Sequence, residues 1–265
     1  MKDDLGTRMK ENYEHRTRIE LPRRTNTIIR LDGKAFHSFT KNCERPFDAG
    51  FAGIMDKTAK VLCEMVQGCV LAYVQSDEIS LLLQDFKKIK TDAWFDGNVQ
   101  KMASISASIA TAAFNTETTK LMVEGVMLHN ANPKFPENAL FDSRVFTIPE
   151  LGEVVNYFIW RQQDCTRNSI TMAAQSQFSH KALHGKNGSE KQDMLHEKGI
   201  NWNDYPVGFK RGRAVVYFKG EIIECDQQNF GVGDEAYINR GWQIIDPPIF
   251  TQDRDFIKKA VTFEA

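Results

Sequence analysis

An α+β fold built on a ferredoxin-like β-α-β-β-α-β sheet is the architecture this sequence predicts, and three observations carry it. Four short runs rich in β-branched and large apolar residues lie within "TNTIIRLDG", "CVLAYVQ", "ISLLLQDF" and "SRVFTIP". Two segments of helical apolar spacing interrupt them in the order β-α-β-β-α-β. The second and third runs are separated only by Ser76-Asp77-Glu78, short enough for a hairpin turn. The helices of this unit are expected on one face of the sheet. Residues 1–150 are expected to hold that core, and residues 151–265 a C-terminal helical and hairpin elaboration within one compact domain.

Each element has its own warrant. The first strand, residues 27–31, ends at Asp32-Gly33, where glycine permits a sharp turn or a close backbone approach to a ligand. Asp48 can cap a helix in which Phe51, Ile54, Met55, Leu62, Met65 and Val66 share one face, and Gly68 ends it. Two adjacent carboxylates, Asp77 and Glu78, then interrupt an apolar run where an unpaired buried charge costs several kcal/mol, roughly. A hairpin tip resolves the conflict, because it can face solvent or a ligand while its strands stay buried. The second helix, in "GNVQKMASISASIATAAFN", places Met102, Ile105, Ile109, Ala112 and Ala113 toward the sheet, its small residues allowing close approach. After the fourth strand, "ELGEVVNYFIWRQQD" and "RNSITMAAQSQF" read as helices, "RAVVYFKGEIIECD" as a hairpin turning at Lys219-Gly220, and "GWQIIDPPIF" as irregular structure with at most one strand.

Composition excludes more than it assigns. Thirty-four basic and 35 acidic residues leave a net charge of −1, so the total demands no polyanionic partner. Two local clusters (Arg8, Lys10, Arg16, Arg18, Arg23, Arg24 and Arg30; Lys210, Arg211 and Arg213) are compatible with phosphate backbones or with ordinary solvated charge. The five cysteines lack any C-x-x-C spacing, which argues against a disulfide framework and a thiolate zinc site and for a reduced, cytoplasmic setting. His180 and His184 have the i, i+4 spacing of zinc ligands but lack the glutamate of H-E-x-x-H. No apolar stretch approaches the ~20 residues of a spanning helix, and no membrane association is expected.

The carboxylates carry the chemistry. In a β-α-β-β sheet the end of the first strand neighbours the hairpin tip, so Asp32 converges with Asp77 and Glu78. Clustered oxygen donors suit Mg²⁺, which keeps waters and substrate phosphates in its shell, and a pair of such ions suits phosphoryl or nucleotidyl transfer. Alone, an Asp-Gly is an ordinary turn and paired acids an ordinary surface. Their conjunction with Lys34, Lys41, Arg45 and Lys101, which could face the same edge and bind triphosphate oxygens, favours the catalytic reading.

Six blocks in order, "RLDGKAFHSF", "RPFD", "AYVQSDEIS", "FDSRV", "WRQQDCTRN" and "NWN", resemble the tRNA-histidine guanylyltransferase and guanylyltransferase-like family over residues 27–213. The resemblance implies a palm-like catalytic core that extends tRNA 5′ ends in the 3′-to-5′ direction, with two Mg²⁺ ions and with ATP and GTP or another NTP as substrates. It implies metal binding by Asp32, Asp77 and the Gly33 carbonyl, with Glu78 completing the acidic site. The backbone through Lys34, Ala35, Phe36 and His37 would cradle a triphosphate, Ser76 and Lys101 would lie near phosphate, and Asp48 near the incoming base. Lys191 corresponds to a lysine linked to RNA handling, and a homotetramer is implied.

Arg45 stands where the family usually has lysine, Val74 replaces a usual glycine, and "CTRNS" takes the place of His-Ile-Asn-Asn. The last departure resembles the bacterial and archaeal branch, which implies template-directed addition and 5′-end repair over untemplated guanosine addition. Arg161 and Asn168 could face the tRNA or the core, and Trp160 and Trp202 could pack or stack on a base. Two rivals fit less well. A diguanylate-cyclase-like palm enzyme would need tandem glycines, and a non-catalytic RNA-binding protein an aromatic strand signature; the sequence has neither.

Overall fold

The computed structural model describes residues 4–123, 138–218 and 240–262. In chain order the elements are α1 (Asp4–Met9), β1 (Asn26–Gly33), α2 (Phe36–Phe39), α3 (Ala49–Met65), β2 (Cys69–Gln75), β3 (Glu78–Leu83), α4 (Val99–Val123) and β4 (Phe141–Ile148). There follow α5 (Leu151–Gln175), α6 (His180–Leu183), α7 (Gly188–Glu197), α8 (Val207–Arg211), β5 (Arg213–Phe218), β6 (Gly241–Ile245) and α9 (Asp255–Thr262). The strands form one sheet in the order β4-β1-β3-β2-β5-β6, with antiparallel pairings throughout. The tip of the C-terminal hairpin expected at Lys219-Gly220 lies outside the described residues. Its first strand, β5, extends the sheet beyond β2, and β6, from a segment expected to be mostly irregular, completes it.

Strand alternation sends neighbouring residues to two cores. Ile29 and Leu31 pack with Ile54, Met55 and Leu62 of α3 and with Met102, Ala110 and Phe114 of α4. Ile28, Leu71, Tyr73 and Leu82 face the opposite way, against Val154, Val155 and Phe158 of α5 and Ile257 of α9. The two helices of the β-α-β-β-α-β unit thus share one face, and the C-terminal elaboration covers the other. Every position of β2 is buried for this reason, which is why its sequence reads as a continuous apolar run.

The helix starting after Asp48 is capped as expected: the Asp48 carboxylate accepts from Phe51 N at 2.8 Å. Gly68 follows it at φ +82°, where an added Cβ would lie 2.6 Å from the Gln84 carbonyl oxygen. Two apolar assignments move. Met65 is 58% exposed, because it lies on the last turn where α3 leaves the sheet. In α4 the buried line is Met102, Ser106, Ala110 and Phe114, while Ile105 and Ala112 point outward. Ser106 can sit inside because its hydroxyl shares a hydrogen bond with that of Ser143 at 2.8 Å.

A similar polar contact pins α5 to the sheet. The Ser80 and Tyr157 hydroxyls share a buried hydrogen bond of 2.8 Å, and burial pushes the Tyr157 phenol up to about 12. Tyr157→Phe is expected to lower stability by roughly 1–2 kcal/mol, since it strands the Ser80 hydroxyl; urea denaturation midpoints measure this.

Candidate active site

The site grows from the register of three strands. Asp32 is directly opposite Glu78 on β3 and Asp142 on β4. The hairpin between β2 and β3 turns on two residues, Ser76 and Asp77, with Glu78 already in the strand and paired to Gln75. Ser76 takes a left-handed φ of 47° to make so short a turn. Gly33 N donates to the Asp77 carbonyl at 3.1 Å, which fastens the tip to the end of β1. The two acidic segments, some 45 residues apart in sequence, therefore meet at one sheet end.

A cleft of about 400 Å³ opens there, lined by Asp32, Gly33, Ala35, Phe36, His37, Arg45, Asp48, Ser76 and Asp77, with Met172 of α5 reaching in from the side. Gly33 is demanded by packing: an added Cβ would fall 2.3 Å from the Phe36 ring. That ring belongs to an aromatic cluster with Phe39, Phe51, Phe114 and Phe141, which fixes the loop after β1. Lys34 N donates to Leu140 O at 2.8 Å, so its amide serves the sheet. Ala35 then turns left-handed at φ 56° as the N-cap of α2, and its amide begins the stretch through Phe36 and His37 that borders the cleft.

Charge in the cleft is unbalanced. Burial raises the Asp77 carboxyl above the usual carboxylate range, and the Asp32 charge adds to the rise. Among the described residues no group of three or more His, Cys, Asp or Glu side chains forms a metal cage. Asp32 and Asp77 instead offer two hard oxygen donors at a strand end beside a backbone carbonyl. This donor set fits Mg²⁺, whose remaining ligands are commonly water and phosphate.

Glu78 is held apart from that pair. Its oxygens accept from Gln75 Nε2 at 3.1 Å and Arg161 Nη1 at 3.2 Å. Burial raises its carboxyl above the usual range even though Arg161 opposes the rise. Arg161 is 4% exposed and also bonds Asp164, so its guanidinium faces the core and the acidic turn instead of an RNA surface. Asp48 likewise has structural work, since its second carboxylate oxygen accepts from Glu44 N at 3.0 Å.

The remaining assigned residues are spread out. Asn168 is exposed and lines a smaller pouch of about 70 Å³ that shares Asp48, Phe51, Ser76 and Met172 with the cleft. Phe47 and Phe209 stack at 5.0 Å in its wall, giving a flat apolar lining that single-sequence reading did not find. Lys101 is not brought to the cleft: it sits on the first turn of α4, beside a separate surface hollow with His15, Arg18 and Asn98, toward the opposite end of β1. Lys191, on α7, donates to Thr171 Oγ1 at 3.0 Å, also outside the cleft. Trp202 is buried, its indole N–H donating to Ser169 Oγ, whereas Trp160 is 47% exposed. The expected basic patch near residue 211 is partly consumed inside: Lys210 is buried against the Asn203 carbonyl and Arg213 pairs with Asp56.

Comparison with known proteins agrees with this geometry. A family model described as "Thg1: tRNAHis guanylyltransferase" matches residues 6–149. The tRNA(His) guanylyltransferase of Kluyveromyces lactis is 32% identical over 216 residues, covering 76% of this chain and 86% of that protein. A solved bacterial tRNA(His) guanylyltransferase (Thg1)-like protein in complex with ATP superposes with a TM-score of 0.80 at 40% identity, covering 98% of this chain and 100% of that one. A solved structure of a bacterial Thg1-like protein in complex with GTP gives 0.74 at 37% identity, with the same coverage. The palm-like sheet, the paired carboxylates and these likenesses agree: the chain belongs to the tRNA(His) guanylyltransferase family and is a nucleotidyltransferase.

Proposed function

We propose that this chain adds nucleotides to the 5′ end of tRNA in the 3′-to-5′ direction, directed by the opposing strand, and so restores shortened ends. The observation that carries this reading is the meeting of Asp32 and Asp77 at the mouth of a cleft bordered by the Ala35–His37 backbone. Relatives solved with ATP and with GTP support the nucleotide side of it. ATP or GTP would activate a 5′-monophosphate end, and an end already carrying a triphosphate would skip that step.

Asp32, Asp77 and the Gly33 carbonyl would hold two Mg²⁺ ions, which when bound supply Lewis-acid stabilisation of phosphate charge and ease deprotonation of a hydroxyl. The chain's own groups do the positioning. Ala35, Phe36 and His37 present backbone to the phosphates, Ser76 and Asp77 close the far side, and Arg45 offers a planar fork to a phosphate. The Phe47–Phe209 pouch accepts a flat ring beside Asp48. Residues 1–150 supply the catalytic core and residues 151–265 the elaboration that walls it. A cytoplasmic homotetramer completes the proposal.

The test uses tRNA lacking its first nucleotide, each labelled NTP in turn, Mg²⁺, and variants of the opposing template base. Expected is incorporation that follows the template base. Guanosine addition whatever base lies opposite would replace repair by untemplated addition. Conversion of GTP to a cyclic dinucleotide would favour a cyclase, and tight RNA binding without any extension, unaffected by Asp77→Ala, a non-catalytic binder.

A further inference from the structure

We propose that Trp160 is a stacking platform for the terminal base of the RNA end, with Arg30 and Arg144 receiving its phosphates; the nature of the ligand rests on the reading given above. Trp160 lies midway along α5 and stays 47% exposed among the described residues, while its neighbours Tyr157 and Phe158 are buried. The Arg161 guanidinium lies 3.9 Å from the ring centroid, covering part of the indole, and that of Arg30 lies 5.9 Å from it.

Arg30 has no ion-pair partner among the described residues, and its Nε is buried without a hydrogen bond. That one buried N–H without an acceptor is a cost the internal hydrogen bonds do not repay, although the Arg30 charge is attracted to Glu78 and to the indole. Arg144, exposed on the edge strand β4, is the register partner of Arg30, and its own contact is Asp142 at 3.5 Å.

Position decides what binds there. Arg30 and Asp32 project from the same face of β1, about 7 Å apart by strand geometry. Moving outward from the nucleotide cleft one meets Asp32, then the Arg30–Arg144 pair, then Trp160. The nucleotide occupies the cleft side of the carboxylates, so the RNA end has to arrive from another side. An exposed aromatic ring framed by cations is the chemistry that captures an unpaired end, since every base has a face to stack and every linkage a charge. The rival occupant is a second copy of the chain, which the proposed homotetramer would supply and which the oligomer mass of the Trp160 variant tests.

The experiment uses the full chain and a tRNA acceptor duplex lacking its first nucleotide and carrying 2-aminopurine at the 5′ terminus. Wild-type protein should quench the probe on binding. Trp160→Leu should weaken binding roughly 5- to 150-fold and remove the quenching, with the KM for NTP unchanged and Trp160→Phe recovering much of both. Arg144→Ala should weaken binding and lower the salt slope by about one. Quenching by Trp160→Leu equal to wild type overturns the proposal. So does a changed oligomer mass with unaltered quenching, which would assign the indole to subunit packing. Wild-type protein that binds and quenches yet extends nothing would sink the transfer reading and uphold the platform.

Discussion

Asp32→Asn and Asp77→Asn each lower the rate of nucleotide addition by at least about 10³-fold, with unfolding temperatures near that of the wild type. Both changes keep the side-chain shape and remove one negative charge from the strand end where the proposed divalent cation would be held. Burial and the neighbouring Asp32 charge raise the Asp77 carboxyl above its ordinary value in the folded protein. Keeping the Asp77 charge there costs the fold, which supports the proposed catalytic use of the pair. The double variant should fall no further than the worse single one, because the two act as a unit. Single-turnover incorporation into 5′-shortened tRNA measures the rates, and a thermal melt confirms folding. A loss below tenfold in either variant would remove that carboxylate from the site.

Arg161→Ala should be among the most destabilising single changes around the cleft, at roughly 3–5 kcal/mol. It leaves Glu78 buried opposite Asp32 with Gln75 as its one side-chain hydrogen-bond partner among the described residues and Arg30 as the remaining nearby cation. Burial outweighs the attraction of Arg161 in setting the Glu78 carboxyl, so the ion pair fixes geometry more than it adds stability. Replacing both partners, Arg161→Met with Glu78→Gln, should accordingly recover most of the loss, whereas restoring neither charge nor volume should not. Thermal unfolding reads the single variant as a drop on the order of 10 °C. An unchanged melt would show that water reaches Glu78.

How much of this was legible in advance follows from the range of the interactions. Local signals suffice for the Asp48 cap, the break at Gly68 and the hairpin turn, which takes in Ser76 and Asp77 of the expected Ser76-Asp77-Glu78 and leaves Glu78 in the strand. The convergence of Asp32 with Asp77 was legible because strand order alone dictates it. The inward face of α4 was not, since alanines and serines leave the periodicity nearly blank and a serine can turn inward once Ser143 receives it. Sequence alone does not decide whether Arg161 faces tRNA or core, because its partner Glu78 is 83 residues away and burial of a guanidinium is visible only when both are placed. The motif places Lys101 with the phosphate ligands, yet α4 begins at the end of the sheet remote from Asp32. Trp160 and Trp202 look alike in sequence, but Trp202, in the turn after α7, is buried against Ser169 of α5, whereas Trp160 sits on α5 itself beside Arg30 of β1.

The 25 residues of α5 form one unbroken rod of roughly 37 Å, and everything of consequence on that side of the molecule is bolted to it. Met172 at the cleft, Asn168 at the pouch, Arg161 beneath the acidic turn and Trp160 at the outer edge are spaced by helical rise alone. On the proposed reading, the spacing between nucleotide and RNA end would thereby be set like marks on a ruler. A sideways slip or roll of this one beam would misalign every mark together, so a substitution that loosens its seating far from the chemistry should look, kinetically, like damage to both substrates at once.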